Sequence, residues 1–286
     1  MCYLKKHGRR RKPLMIRQTA ENIQGYMTKI EGLLKVGARY LIDNLGNNSV
    51  EIKKGNRDFA LTVDVELEKI YRQSLAEVTP DIPILGEELS PKNCLNGYRG
   101  KFWAIDPIDG TINYSKGLPE YGTSIALIEN GTSVAVGVCF PSLQETYIAG
   151  INEGAFLNKK RIQVSDTSDL INSVLAYGDF SVKHNYEIEN EVRFKYITSF
   201  ANNVLRVRMP GSAALQLAWL ASGRIDISLT LSNNAWDVQG GVLLVREAGG
   251  CVYDFDGSEH SILSKYTIAS NKKNKGRVIE FISNIE

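Results

Sequence analysis

Cysteine and histidine are both scarce in this chain, which has 4 and 3 of them in 286 residues. Cys2, Cys94, Cys139 and Cys251 stand far apart with no Cys-x-x-Cys pair. That spacing argues against a disulfide framework or a zinc site and predicts free thiols in a reducing compartment. His7, His184 and His260 adjoin no motif, which argues against covalent histidine chemistry. An excess of one charge is also missing. The net charge is +2, too small to require a polyanionic partner. No apolar run approaches the roughly 18 residues of a membrane-spanning helix. The start is basic without the apolar stretch of a signal peptide. Internal repeats and low-complexity tracts are absent as well. The expectation is a cytoplasmic protein without a membrane partner.

Charge does collect at the start, in Lys5, Lys6, Arg9, Arg10, Arg11 and Lys12. Residues 1–14 are read as a basic, disordered tail, or as residues upstream of a start at Met15. The competing reading is a nucleic-acid or anionic-surface arm, which would fit an RNA-associated or regulatory factor. No aromatic residue is interleaved among these charges to stack on bases, so nucleic acid is not the expected partner.

Apolar periodicity predicts a helix over 17–44, on Ile23, Met27, Ile30, Leu34, Ala38 and Leu41, with a stop at Asn44 and Gly46. Residues 60–64 read as a short strand ending in Asp64. A helix follows, carrying Leu67, Ile70, Tyr71, Ser74, Leu75 and Val78 on one face. Residues 82–85 and 102–106 read as strands. From 122 to 149 the pattern is a meander, with a hairpin turn at Asn130-Gly131. Residues 158–161 read as a charged loop. The pattern restarts beyond about residue 165, dividing an N-terminal part, 15–165, from a C-terminal part, 166–286. Helices are expected at 186–201, 212–222, 237–248 and 273–284. Strands are expected at 173–178, 204–207, 225–229, 252–255 and 268–269. Hairpins mixed with helical connections predict mixed or antiparallel sheets layered with helices, not a doubly wound parallel sheet.

Residues 106–113, Asp-Pro-Ile-Asp-Gly-Thr-Ile-Asn, follow the apolar run 102–105. Packing does not call for two carboxylates and a Gly-Thr step at a strand end. Hard oxygen ligands placed this way can converge on a divalent cation, while backbone N–H groups remain for a phosphate. Asp64, Glu87 and Asp237 also stand where a strand ends or a helix begins. Singly, each has a plain alternative: Asp237 an N-cap, Asp106-Pro107 a turn, Glu87-Glu88 surface charge.

Together they resemble the inositol monophosphatase family of magnesium-dependent, lithium-sensitive phosphatases. The family pattern is an Asp, then Glu-Glu, then Asp-Pro-Ile/Leu-Asp-Gly-Thr/Ser, then Trp-Asp-x-x-Ala/Gly. This chain supplies Asp64, Glu87-Glu88, Asp106 to Thr111, and Trp236-Asp237-Val238-Gln239-Gly240. Gly154-Ala155-Phe156-Leu157-Asn158, Gly211-Ser212-Ala213-Ala214 and Glu247-Ala248-Gly249-Gly250 add to the likeness, which runs from about residue 17 onward.

The resemblance implies an α+β fold, a layered α-β-α-β-α sandwich of the inositol monophosphatase and fructose-1,6-bisphosphatase type. Two sheets would have helices between and outside them, most metal ligands would lie in 15–165, and the protein would be a homodimer. It implies hydrolysis of a small phosphate monoester by metal-activated water, inhibited by lithium at millimolar levels. Glu87, Asp106 and the Ile108 carbonyl would hold one Mg2+, and Asp106, Asp109 and Asp237 a second. A third, weaker ion would sit near Glu87. Thr111 and Asp64 would polarise the attacking water. Asp109, Gly110, Thr111, the loop Gly211, Ser212, Ala213, and Thr230 would face the substrate.

Two positions depart from the family pattern. Inositol-specific members carry a glutamate seven residues before the metal-binding Asp of Trp-Asp, and that position is Thr230 here. Losing a carboxylate that accepts hydrogen bonds from a polyol weakens discrimination for it. The substrate therefore stays open among inositol and sugar phosphates, fructose 1,6-bisphosphate, histidinol phosphate, and the phosphate of 3′-phosphoadenosine or NADP compounds. The second departure is Ile112, where a second Thr often follows. Asp179 is read as a loop residue, and Ser212 equally as a helix cap or a pocket residue.

Overall fold

The computed structural model describes residues 14–46, 51–53, 59–91, 100–182 and 186–285, with backbone alone at 14–22 and 51–53. Of the basic segment 1–14, residues 1–13 lie outside the described residues, and Leu14 begins the first helix. His184 also lies outside them.

Seven helices are seen among the described residues: α1 Leu14–Asn44, α2 Thr62–Val78, α3 Thr111–Lys116, α4 Tyr186–Ala201, α5 Ala213–Ala221, α6 Ala235–Glu247 and α7 Lys275–Ser283. The strands of the first half are β1 Glu51–Lys53, β2 Phe59–Leu61, β3 Ile84–Gly86, β4 Lys101–Asp109, β5 Gly122–Glu129, β6 Thr132–Phe140, β7 Glu145–Gly150, β8 Gly154–Leu157 and β9 Lys160–Arg161. Those of the second half are β10 Val174–Tyr177, β11 Arg206–Arg208, β12 Ile227–Thr230, β13 Cys251–Tyr253 and β14 Thr267–Ser270.

A seven-stranded sheet runs β3-β4-β5-β6-β7-β8-β9, and a five-stranded sheet runs β11-β10-β12-β14-β13. Both are mixed. β3 pairs parallel with β4, and β10 parallel with β11 and β12, while the other ladders of these two sheets are antiparallel. Helices α1 and α2 cover one face of the larger sheet, burying Ile30, Leu34, Leu67 and Leu75 against Trp103, Ile125 and Leu127. Helices α5 and α6 fill the space between the sheets, where Leu217, Val242 and Leu244 meet Phe102, Val136 and Val138. Tyr196 and Phe200 of α4, with Val278 and Ile282 of α7, close the outer face of the smaller sheet over Leu175 and Ile227. The order of layers is therefore helix, sheet, helix, sheet, helix, as the resemblance implies.

Local chemistry accounts for most elements. Asn130 and Gly131 both have positive φ, 52° and 79°, the geometry of a two-residue hairpin turn between β5 and β6. Asn158 and Lys159 repeat it, at 47° and 67°, so the expected charged loop at 158–161 is a turn into β9. The strand expected at 60–64 is corrected as well. Leu61 ends β2 and caps α2, and Asp64 lies in the first helical turn. Its Oδ2 accepts the Leu61 N–H at 2.7 Å. A carboxylate at the third helical position satisfies an otherwise orphaned amide and complements the helix dipole, which outweighs the strand-like alternation.

The strand through the octapeptide runs further than expected, to Asp109. In a regular strand Asp106 and Asp109 would face opposite sides of the sheet, because side chains alternate with period two. The pairing register breaks between them: Asp106 pairs with Ser124 and Asp109 with Gly122. Two residues of β4, Pro107 and Ile108, thus oppose one of β5, Thr123. Pro107, which cannot donate to a ladder, sits in this bulge. The extra residue turns both carboxylates toward one side.

Candidate active site

Five segments meet at the ends of these elements. Glu87 follows β3, Asp106 and Asp109 flank the bulge of β4, and Thr111 opens α3. Ser212 caps α5, and Asp237 lies in the first turn of α6. With Ile108, Gly110, Gly211, Ala213 and Thr230, they line one cleft of about 310 Å³.

Carboxylate oxygens of Glu87, Asp106 and Asp237 lie within 4.8 Å of one another. Asp106 is 2% exposed, and its Oδ1 has no hydrogen-bond partner among the described residues. Burial, then the charges of Glu87, Asp109, Asp237 and Asp64, push its carboxyl well above the ordinary range. Asp109 is raised to about 6. Burial lifts it, hydrogen bonds from Ser212, Ala214 and Ala213 oppose that, and Glu87 adds to the rise.

Those bonds tie β4 to the start of α5. Ser212 Oγ donates to Asp109 Oδ2 at 2.5 Å, and the Ala214 and Ala213 amides donate at 2.7 and 3.2 Å. Ser212 Oγ also accepts the Leu215 N–H at 3.1 Å. Both readings of Ser212 are therefore present at once, helix cap and cleft residue. Asp237 Oδ2 accepts from Asn234 Nδ2 at 2.9 Å, across the start of α6.

Thr111 Oγ1 lies 3.0 Å from the Ile108 carbonyl and 3.5 Å from Asp64 Oδ1. Asp64 is 1% exposed and sits behind Thr111, not on the cleft wall. Gly110, with φ of 91°, lets the chain leave the bulge and enter α3. A Cβ there would stand 2.9 Å from the Glu120 carbonyl. Gly110→Ala is expected to cost roughly 1–3 kcal/mol in folding stability, read as a lower urea midpoint.

A divalent cation fits this donor set. Its central carboxylate, Asp106, is buried beside the half-buried Glu87 and Asp237; all three are hard oxygen donors that repel one another, and one Asp106 oxygen stays unsatisfied. Burying several like charges together is costly unless a cation neutralises them.

Residues 24–286 match the inositol monophosphatase family. The chain belongs to that family. It is 36% identical over 261 residues to a Thermotoga maritima protein named fructose-1,6-bisphosphatase/inositol-1-monophosphatase, covering 90% of this chain and 94% of that one. It is 39% identical over 208 residues to the Nus factor SuhB of Xylella fastidiosa, 73% of each chain. Among solved structures, a Thermotoga maritima IMPase superposes with a TM-score of 0.79 at 31% identity, covering 93% of this chain and 98% of that one. The chain is accordingly a phosphatase of the phosphoric monoester class. Among the described residues, no helix is long and apolar enough to cross a membrane.

Beyond the acids already named, the cleft is lined by one more carboxyl, Asp179, and otherwise by neutral residues and Arg193. Thr230 Oγ1 lies 3.4 Å from Gln216 Oε1, which also receives Ser228 Oγ at 3.3 Å. The position of the missing family glutamate is thus a buried, amide-bound hydroxyl. Sequence reasoning missed Gln216, and it missed Arg193 of α4. Arg193 is 9% exposed and lines the cleft. Its guanidinium donates to the carbonyls of Asp179 at 2.5 Å and Leu231 at 3.1 Å. Among Glu187, Glu189, Glu191 and Lys195 it reads as ordinary solvated helix charge, and no spacing signal marks it. Asp179 lies in a loop as expected, and that loop also lines the cleft.

Proposed function

We propose that the protein hydrolyses a small phosphate monoester with magnesium, by direct in-line attack of water and without a phosphoenzyme. The observation that carries this is the trio Glu87, Asp106 and Asp237, with carboxylate oxygens within 4.8 Å of one another and an unsatisfied Asp106 Oδ1, on the wall of an open cleft. Glu87, Asp106 and the Ile108 carbonyl would hold one Mg2+, and Asp106, Asp109 and Asp237 a second. Bound there, magnesium supplies an activated water and neutralises charge on the leaving oxygen.

The remaining work falls to the protein's own groups. Thr111 carries one hydroxyl proton and so donates to one acceptor at a time. Turned to Asp64, the hydroxyl leaves its lone pairs to accept a hydrogen bond from water in the cleft, and a proton taken from that water is balanced by the hydroxyl's own proton passing to the Asp64 carboxylate. Buried behind it, Asp64 is held in place by the Leu61 amide. The first amides of α3, at Thr111 and Ile112, have no intrahelical acceptor and are the proposed donors to phosphate oxygens. Ser212 and the amides of Ala213 and Ala214 orient Asp109.

Thr230 and Gln216 present no carboxylate to the leaving group, so we read the enzyme as tolerant among sugar and polyol phosphates. The relative named for both fructose 1,6-bisphosphate and inositol 1-phosphate supports such breadth. We also read the protein as a lithium-sensitive, cytoplasmic homodimer, by family likeness. A phosphate-release screen over sugar, polyol, nucleotide and histidinol phosphates tests the proposal. Release is expected with Mg2+ and is expected to vanish in EDTA. Release that persists in EDTA would refute metal dependence.

A further inference from the structure

Helix α2 sends three buried polar side chains, at positions 64, 68 and 71, toward the site from one face. Positions four and seven residues on from the first fall on the same side of a helix. Asp64 reaches Thr111. The Tyr71 hydroxyl lies 3.0 Å from Thr123 Oγ1, which donates to the Asp106 carbonyl at 3.1 Å. Glu68, 0% exposed, reaches the turn that carries Glu87. Its Oε2 accepts the Glu88 N–H at 2.7 Å, and its Oε1 accepts the Leu89 N–H at 3.2 Å and Arg72 Nε at 2.7 Å.

The turn has a second anchor. Ser90 Oγ accepts from Gly86 N at 2.8 Å and from Arg72 Nη2 at 2.6 Å. Gly86 leaves the room this needs, since a Cβ there would stand 2.1 Å from Glu68 Oε1. The Glu68–Arg72 pair, buried on the Glu68 side and partly exposed at Arg72, is a weak stabiliser by itself, because desolvating the carboxylate offsets much of the Coulomb gain. The two backbone amides from residues 88 and 89 give this pair a different purpose: they immobilise the chain directly after Glu87.

We infer that Glu68 is a positioning residue for the metal site, holding the 86–90 turn so that the Glu87 carboxylate meets those of Asp106 and Asp237. The inference rests on the metal-dependent reading above. Glu68→Gln keeps one acceptor oxygen but turns an NH2 donor toward groups that are themselves donors, so the turn loses at least one anchor. Groups that orient metal ligands typically control affinity by 10- to 100-fold.

The experiment uses the full chain and Mn2+ as probe. Mn2+ binding is followed by electron paramagnetic resonance, and Mg2+-dependent phosphate release is measured alongside. Glu68→Gln is expected to weaken Mn2+ binding about tenfold and raise the half-activating Mg2+ by a similar factor. The rate at saturating Mg2+ stays within about threefold of the parent, with circular dichroism unchanged. Glu77→Gln, on the exposed side of the same helix, is expected to change neither. A folded Glu68→Gln variant that binds Mn2+ as tightly as the parent overturns the inference. If Glu68→Gln does not fold, Ser90→Ala replaces it, with an expected loss in Mn2+ affinity of about threefold, and unchanged affinity there overturns the inference equally. A parent protein that binds no Mn2+ overturns both this inference and the metal-dependent reading. If the parent binds Mn2+ but releases no phosphate, the phosphatase reading falls, and the Mn2+ shift alone decides the role of Glu68.

Discussion

Asp106→Asn is expected to lower Mg2+-dependent phosphate release by at least roughly 10³-fold in kcat/KM. Metal ions supply several kcal/mol of charge stabilisation in such reactions, and each 1.4 kcal/mol is about a tenfold change in rate. Asp106 is the acid common to both proposed metal positions, and its Oδ1 is the carboxylate oxygen without a partner among the described residues. Asparagine has the same shape and carries no charge, so the loss reports ligand chemistry and not packing. The same substitution should have the opposite effect on the metal-free protein. It removes a buried carboxylate repelled by Glu87, Asp109, Asp237 and Asp64. Its amide can also donate to neighbouring carboxylates. A higher melting temperature in EDTA, together with lost activity in Mg2+, is the expected pair of results. Activity within tenfold of the parent would sink the proposed mechanism.

The second large effect is on stability against pH in the absence of metal. Asp109 is raised from 3.8 to about 6 in the folded protein, and Asp106 is shifted in the same direction. A raised carboxyl binds more protons folded than unfolded, so its contribution is fully present below pH 4 and is lost as pH climbs through about 6. For Asp109 alone the loss between pH 5 and 7.5 is about 1.4 kcal/mol. His260, lowered from 6.5 to about 4 by burial, pulls the other way over the same range, so the carboxylate slope is read with that histidine replaced. With Asp106 acting in the same sense as Asp109, EDTA-treated His260→Gln protein should melt about 5 °C higher at pH 5 than at pH 7.5. Saturating Mg2+ favours the ionised carboxylates and should erase or reverse that slope. Thermal melts across pH 5–8, with EDTA and with Mg2+, provide the check. A metal-free His260→Gln protein that is more stable at pH 7.5 would show that the carboxylates are not held together in solution as they are here.

Much of the fold was legible because burial is written in local periodicity. The apolar spacing of α1 and α2, the Asn130-Gly131 turn and the alternation in β5 to β7 each reflect one face packed and one not. Errors arose where a polar contact outvoted that pattern. Residues 60–64 alternate like a strand, yet the hydrogen bond from Leu61 N–H to Asp64 makes the first turn of α2. Charge was the poorest guide. Arg193 and Glu68 look like solvated helix charges, and both are buried against backbone groups from distant segments. Such contacts leave no trace in spacing, since their partners lie 14 to 38 residues away.

From the residues alone came the chemistry. Hard oxygen donors stand at element ends, cysteine and histidine are scarce and lie outside the motifs, and Asp64, Glu87-Glu88, Asp106 to Thr111 and Trp236-Asp237 together resemble a phosphatase family. The convergence of those donors belongs to the tertiary structure. An octapeptide cannot say that its two carboxylates face one way, because that depends on the bulge opposite β5. Nor can it say that Glu87 and Asp237 arrive beside Asp106. One comes by the parallel pairing of β3 with β4, and the other by the packing of α6 against the same sheet. Local sequence decides which side of an element is buried. Only long-range pairing and packing decide which buried ends share a site.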